Sequence, residues 1–359
     1  MRKILLIFLL PVLWACNNNK DVSIVNSFKI NQPLTHNFFD VENSENELLN
    51  PSSIAVSGNT MTTWNLMTPN VFTTIDIATE RVIKHWGTRG QGPNEFITVG
   101  DIFNNYLETG INIWDRGAGK LYFSSNSDLE SNSANFQEIH TGLNLGDRVR
   151  SYSAVQIDTL LFFALEGNDN KRFTLIDVKN NTRKEIGDFP PEDKNIHLSV
   201  FFRNMAYNGR IRYNNSQKKL VYVSIASEMF EIYKVNSSDV ELAIGNYSTI
   251  PKYEERVAQG GASRIVNEFV TNGKGRNFSV TISDENIFIL YQDYKKTGTE
   301  EDRQLINLAN MVLVFDWNGK PVKIYELDSF VKTITYDKER NRLWAIHDNP
   351  NPEIIYFEL

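Results

Sequence analysis

One pattern of apolar and polar residues recurs six times along this chain and limits the fold more than any other feature. In each copy, a short apolar strand is followed by a polar break and then by a second, alternating strand. The first strands start at residues 61, 111, 160, 220, 287 and 343, so the unit repeats about every 50 to 67 residues. Similarity at such a period indicates a fold built from equivalent sectors. The six strand pairs are predicted at residues 61–64 and 71–77, 111–116 and 120–123, 160–165 and 173–178, 220–225 and 229–235, 287–291 and 311–315, and 343–346 and 354–357.

Additional strands flank most of these pairs. A candidate strand precedes several first strands, at residues 53–56, 151–156, 278–282 and 332–336, and another follows several second strands, at 81–86, 183–186, 240–244 and 321–327. Four antiparallel strands per unit, repeated six times, predict an all-β fold, a single six-bladed β-propeller. A pair of β-sandwiches is the alternative, but it would not be expected to give six similar units.

The last unit has only three predicted strands, because the chain ends at Leu359. We predict that the N-terminal segment, residues 22–30, supplies its fourth strand. Such a closure would remove the open sheet edge that a broken ring exposes.

The N-terminus has the pattern of an export signal. Arg2 and Lys3 precede an apolar run, residues 4–10, that is too short for a permanent membrane span. The run leads into Leu-Trp-Ala-Cys at 13–16, which resembles a bacterial lipobox, where the cysteine is lipidated and becomes the new N-terminus. We therefore expect a signal peptide at 1–15, a lipidated Cys16 with a polar tether at 16–21, and the propeller at 22–359. An ordinary secretory signal with a chance cysteine is the alternative.

Cysteine content and charge limit the function further. Cys16 is the only cysteine, so the exported domain would have no internal disulfide and must be stabilised by packing. Without the signal, 35 basic residues face 44 acidic ones, a net charge of −9 that argues against nucleic-acid binding. No later stretch approaches 18 apolar residues. We therefore expect an outer-membrane lipoprotein, facing either the periplasm or the cell surface.

The segment between the first two units carries the most specific motif. Residues 87–96, Gly-Thr-Arg-Gly-Gln-Gly-Pro-Asn-Glu-Phe, resemble the opening of an NHL repeat, and residues 111–123 resemble its strand-Asp-turn-strand, with Asp115 at the place of the typical Asp. The NHL-like repeat thus spans 87–123. With the lipobox and the six irregular units, the chain resembles the TolB-like six-bladed propeller lipoproteins of Bacteroidota. The resemblance implies the propeller fold and an envelope location, without an established catalytic activity.

Blade topology predicts a single binding face. The loops that enter each first strand and the loops that join strands two and three lie on the same side of the ring, which we call the loop-rich face. The longest connections belong to this set, at 87–100, 187–204, 249–277 and 292–310. Function concentrates in elaborated loops on rigid scaffolds, so we expect a site on this face, over the central channel.

Polar side chains at the ends of second strands and in the entry loops are the candidates for this site. They are Arg89, Asp115, Arg116, Glu166, Arg203, Arg264, Tyr291, Gln292 and His347. Asp115 has a structural alternative, in which it binds turn amides and holds the blade together. Arg203 and Arg264 could instead pair with local carboxylates, and His347 could be an ordinary loop histidine.

The sequence contains no recognisable catalytic or metal-binding signature. Its five histidines are scattered outside any paired ligand spacing, so we expect no metal and no cofactor, although calcium bound by separate loops would leave no contiguous motif. No Gly-x-Ser-x-Gly elbow is present. We interpret the chain as a monomeric, non-catalytic binding or scaffold propeller that presents one face to a protein, peptide or glycan. The alternatives are a lyase or lactone hydrolase that uses channel carboxylates and arginines with a divalent ion, and a structural spacer.

Overall fold

The computed structural model describes most of the chain after residue 22. The described residues are 23–41, 50–133, 135–139, 153–158, 161–164, 171–191, 193–237, 239–257, 263–267, 275–293, 307–348 and 352–359. Among them, no helix has both the length and the apolar character needed to cross a membrane.

Strands dominate the architecture. In chain order they are β1 (Asn31–Leu34), β2 (His36–Phe38), β3 (Pro51–Ser57), β4 (Thr60–Asn65), β5 (Asn70–Asp76), β6 (Arg81–Arg89), β7 (Glu95–Phe96), β8 (Val99–Asn104), β9 (Gly110–Asp115), β10 (Lys120–Ser125), β11 (Gln137–Ile139), β12 (Ala154–Gln156), β13 (Leu161–Ala164), β14 (Lys171–Asp177), β15 (Thr182–Asp188), β16 (Gly209–Asn214), β17 (Lys219–Ser224), β18 (Phe230–Val235), β19 (Val240–Asn246), β20 (Tyr253–Val257), β21 (Ser263–Asn267), β22 (Arg276–Ile282), β23 (Asn286–Gln292), β24 (Ala309–Asp316), β25 (Pro321–Asp337), β26 (Arg342–Asp348) and β27 (Pro352–Glu358). The helices are a 3-10 turn (Ile24–Ser27), α1 (Asn126–Glu130) and α2 (Val200–Ala206).

These strands form the six predicted blades. Strands β3 to β6 with the short β7 form blade 1, β8 to β11 blade 2, β12 to β15 blade 3 and β16 to β19 blade 4. Blade 5 contains β22, β23, β24 and the first half of β25, and blade 6 contains the second half of β25 with β26, β27 and β2. All six predicted strand pairs are second and third strands of blades, so the prediction of a six-bladed all-β propeller is confirmed. The hairpin β20–β21 lies in the connection between blades 4 and 5.

Apolar packing between neighbouring blades closes the ring. Five clusters of buried side chains together join blades 1 and 2, 2 to 4, 4 and 5, 5 and 6, and 6 and 1. A middle strand is therefore covered on both faces, and β23 is buried at every position from Ile287 to Gln292. Burial on both faces explains why these strands appear in the sequence as continuous apolar runs.

The closing strand comes from the N-terminus, as predicted, but not from residues 22–30. Strand β2 pairs with β27, with His36 opposite Phe357 and Phe38 opposite Ile355. Residues within 22–30 instead contribute to packing between blades. Ile24 is buried between blades 4 and 5, and the ring of Phe28 packs edge-on against that of Phe315, with ring centres 5.0 Å apart. Apolar side chains in this segment fill an inter-blade core, so it cannot serve as the outermost strand of blade 6.

The loss of one ladder hydrogen bond should test this closure. The amide of Phe39 donates to the carbonyl of Ile354 at 3.0 Å. Because paired residues alternate in an antiparallel ladder, the amide of Asn37 should donate to Tyr356 in the same way. We predict that Asn37→Pro lowers the free energy of unfolding by about 1 kcal/mol or more. Asn37→Thr, which keeps the amide, is the control for thermal unfolding, and equal melting temperatures for the two variants would contradict the closure by β2.

Candidate functional site

A polar cavity lies on the axis of the ring. The first strand of each blade is the innermost, and first strands of neighbouring blades contact one another, for example β3 with β8 and β16 with β22. The cavity has a volume of about 100 Å³ and is lined by residues of β3, β8, β16, β22 and the second half of β25. It is the central channel that the propeller topology predicts.

Charged side chains from the inner strands of blades 2 and 4 meet in this cavity. Nη1 of Arg212 donates to Oδ2 of Asp101 at 2.8 Å, and Nε of Arg210 lies 3.6 Å from the same oxygen. Asp101 and Arg212 are both buried, and the guanidinium of Arg212 also lies 4.6 Å from the centre of the Phe103 ring. The pair therefore links blade 2 to blade 4 directly. Blade 3 lies between them, and its inner strand has only three residues.

Tyr106 narrows the channel at the end opposite the loop-rich face. It belongs to the turn between β8 and β9, and its hydroxyl donates to the carbonyl of Ile282 in blade 5 at 3.3 Å. Burial raises the pKa of the Tyr106 phenol, and the nearby positive charge of Arg212 opposes this shift. The cavity therefore has a neutral hydrogen-bonding group at one end and positive charges along its wall.

Asp115 holds a turn together. The carboxylate is fully buried at the end of β9 and accepts four backbone amides. Oδ2 accepts from Ile97 at 2.7 Å, and Oδ1 accepts from Thr98 and Gly117 at 2.9 Å and from Ala118 at 3.1 Å. These contacts match the structural alternative for Asp115, because both oxygens are already satisfied by the chain itself.

Arg203 packs within its own entry loop. It lies on α2, and its Nε donates to Oδ2 of Asp193 at 2.7 Å while the guanidinium covers the ring of Phe189 at 3.5 Å. Tyr207 donates to the other oxygen of Asp193 at 2.5 Å. Burial and this carboxylate raise the pKa of Tyr207. The cluster stiffens the connection between blades 3 and 4.

Tyr291 anchors the first described residues of the chain. Its buried hydroxyl donates to Oε1 of Glu228 at 2.6 Å, and burial followed by the negative charge of Glu228 raises its pKa. The hydroxyl of Ser23 donates to Oε1 of Glu228 at 2.9 Å, and the amide of Ile24 donates to Oε2 at 3.2 Å. Because Glu228 lies in the loop between strands two and three of blade 4, Ser23 is held on the loop-rich face.

The other predicted residues that the structure describes are spread around the same face. Arg89 donates to the carbonyls of Asn65 and Thr68 at 2.8 and 3.2 Å, and Nδ1 of His347 lies 2.7 Å from the hydroxyl of Ser329. Arg116 is exposed and Gln292 is buried. Cys16, Glu166 and the side chain of Arg264 lie outside the described residues. None of the hydrogen bonds given above joins two of the predicted site residues, whereas Asp101, Arg210 and Arg212, which were not predicted, meet in the channel.

Exposed apolar side chains are concentrated on the loop-rich face. In the described part of the chain, nine large apolar side chains are exposed, and six of them lie in connections of this face: Met67, Ile97, Ile196, Val200, Phe201 and Val257. Three of these six are close together in sequence, Ile196 at 75% exposure with Val200 and Phe201 at 44% each. We call Ile196, Val200 and Phe201 the apolar patch.

Metal ligands are not clustered in the described residues. No group of three or more His, Cys, Asp or Glu side chains is placed to hold a metal ion in the ranges that the structure describes.

Comparison with known proteins identifies the fold independently. The model of a family described as TolB-like 6-blade propeller-like matches residues 41–339. A solved member of the DUF4221 family from Bacteroides vulgatus is similar, with 12% identity over 87% of this chain and 92% of that chain and a TM-score of 0.54. A putative exported protein from Bacteroides fragilis has 10% identity over 94% of this chain and 96% of that chain, with a TM-score of 0.52. At these identities the two structures show the fold alone. No curated protein matches the chain.

The role of Asp115 can be tested by one isosteric substitution. We predict that Asp115→Asn lowers the free energy of unfolding by about 2 kcal/mol, because an amide nitrogen cannot accept the hydrogen bonds that a carboxylate oxygen accepts. Asp76→Asn is the matched control, since Asp76 accepts a single turn amide, that of Thr79 at 2.8 Å. Chemical denaturation of both variants measures the difference. Equal losses at the two positions would contradict a special role for Asp115.

Proposed function

The chain belongs to the TolB-like six-bladed propeller family, and from this premise we propose that it is a lipid-anchored, non-catalytic binding propeller whose loop-rich face receives a protein. The observation that carries the proposal is the concentration of exposed apolar side chains on that face. Apolar groups grouped on one side of a soluble domain are typical of a protein contact site. The expected site is therefore a surface that docks a partner.

The apolar patch is built on a stiff support. Ser199 caps α2 by accepting the amide of Phe202 at 3.4 Å, and Arg203 on the same helix forms an ion pair with Asp193. Side chains presented from such a fixed element lose little entropy on binding. Because Arg203 and Tyr207 both donate to the carboxylate of Asp193, these neighbouring polar groups favour a binding role over acid-base chemistry at this position.

The position of Ser23 supports a partner that lies near the membrane. Glu228 holds Ser23 on the loop-rich face, and only seven residue steps separate Ser23 from Cys16. Even a fully extended chain of that length spans at most about 25 Å. A lipid on Cys16 would therefore keep this face close to the bilayer. The net charge of −9 opposes direct adhesion to anionic lipid, so we propose a membrane-embedded protein as the partner.

Removal of the lipidated sulfur tests the anchor. We predict that Cys16→Ser moves the protein from the membrane fraction to the soluble fraction of cells and abolishes metabolic labelling with radioactive palmitate. The reason is that the thioether-linked lipid would be the main membrane attachment. A Cys16→Ser protein that stays in the membrane fraction would refute lipid anchoring and leave the binding face to be tested separately.

Site-specific crosslinking tests the face. A photoreactive amino acid at Ile196 should give a discrete adduct with a membrane-embedded protein in living cells. The same probe at Leu242 is the matched control, because Leu242 is 51% exposed but lies on the outermost strand of blade 4. We expect no discrete adduct there. Equal adducts at the two positions, or none at Ile196, would overturn the proposal.

A further inference from the structure

We propose that the central cavity binds a small oxyanion, a phosphate or carboxylate group, between Arg210, Arg212 and Trp64. This site is separate from the apolar patch and does not depend on a protein partner, because it lies inside the ring. Three features of the cavity support this site, namely a surplus of positive charge, unused hydrogen-bond donors and a small volume.

The first observation is the charge on the cavity wall. Two guanidinium groups, those of Arg210 and Arg212, share one carboxylate, that of Asp101. A cation taken out of water is expensive unless a counter-charge accompanies it. The cavity therefore favours an anion, although the protein as a whole is negatively charged.

The second observation is that Arg210 has unused donors. Its Nε lies 3.6 Å from Oδ2 of Asp101, beyond hydrogen-bonding distance, and the guanidinium of Arg210 makes no hydrogen bond within the part of the chain that the structure describes. Its side chain is 25% exposed, so a solute from the surroundings can reach it. A planar guanidinium with free N–H groups is suited to bidentate binding of carboxylate or phosphate.

The third observation is an orphaned donor on the same wall. Trp64 lines the cavity, and its indole Nε1 is buried and has no hydrogen-bond partner among the described residues. An indole N–H can only donate, so an acceptor in the cavity would satisfy it. The hydroxyl groups of Ser52 and Ser53, which can donate as well, line the same space, whereas those of Ser279 and Thr333 bond each other at 3.2 Å. The wall thus offers donors of several kinds and one charged acceptor.

Cavity size limits the ligand. A volume of about 100 Å³ is below the 300–1,000 Å³ that is typical of sites for drug-sized molecules. It suits a tetrahedral oxyanion or a carboxylate with few attached atoms. A larger acidic molecule could place only its charged group inside.

Anion titration tests the site directly. Isothermal titration of the full chain with inorganic phosphate, and separately with acetate, in a buffer of low chloride should show saturable binding of at least one of them. Which of the two binds identifies the preferred oxyanion. Arg210→Gln should weaken that binding by about tenfold or more, since it removes a charge-assisted contact. Arg342→Gln is the control, because Arg342 pairs with Glu358 at the outer surface and should leave binding unchanged.

A substitution that should strengthen anion binding distinguishes a binding role of these charges from a purely structural one. Asp101→Asn removes the competing negative charge and should tighten anion binding several-fold, even if the variant melts at a lower temperature. A purely structural ion pair predicts only the loss of stability. The proposal is overturned if neither anion binds the unmodified protein, if Arg210→Gln binds as tightly as the unmodified protein, or if Asp101→Asn does not bind more tightly.

Discussion

Each blade can bury its two apolar faces only against two neighbours, and the rest of the structure depends on this constraint. A sheet with an uncovered face or an unpaired edge would be prone to association, so the ring must be closed both by packing and by pairing. Strand β25 contributes to packing by serving blades 5 and 6 as one continuous strand, Pro321–Asp337. Strand β2 contributes the pairing, because it adds the outer strand that blade 6 lacks. The positions of side chains on the loop-rich face and in the channel therefore depend on this closure.

The same constraint decides what could be predicted from the sequence. Middle strands are covered on both sides, so they appear as apolar runs, and all six pairs were found. The inner strands of blades 2 and 4 were missed, and these two strands carry Asp101, Arg210 and Arg212. Gly209–Asn214 reads Gly-Arg-Ile-Arg-Tyr-Asn, in which the charges mask the strand pattern. An inner strand borders a polar channel, so its charged residues can be buried without being apolar.

The candidate residues of the loop-rich face illustrate a different limit of prediction from sequence. Their position on the loop-rich face follows from topology, but their partners do not. Asp115 binds amides two to eighteen positions away in sequence, and Arg203 binds a carboxylate ten positions away. Such local partners are supplied by loop conformation, which periodicity does not predict. The prediction for the N-terminal segment was wrong for a related reason. Ile24 and Phe28 were assigned to a strand, although they fill a core between blades.

Two ion pairs between blades differ in how far the protein itself satisfies their hydrogen-bonding groups. This difference makes the channel the stronger candidate for a ligand site. Between blades 3 and 4, both oxygens of Glu231 accept from Arg172, at 2.6 and 2.7 Å. The hydroxyls of Tyr233 and Tyr247 add donors at 2.8 and 2.7 Å, so that carboxylate is saturated by the protein alone. The carboxylate of this pair has no capacity left for a ligand. Nη1 of Arg172 lacks a hydrogen-bond partner among the described residues, but its side chain is only 2% exposed, so a solute does not reach it as it reaches Arg210. In the channel the balance is reversed, because two guanidinium groups share one carboxylate and the guanidinium of Arg210 lies beyond hydrogen-bonding distance of it. Buried polar groups are normally satisfied, so an arrangement that needs an acceptor from outside the described chain points to binding.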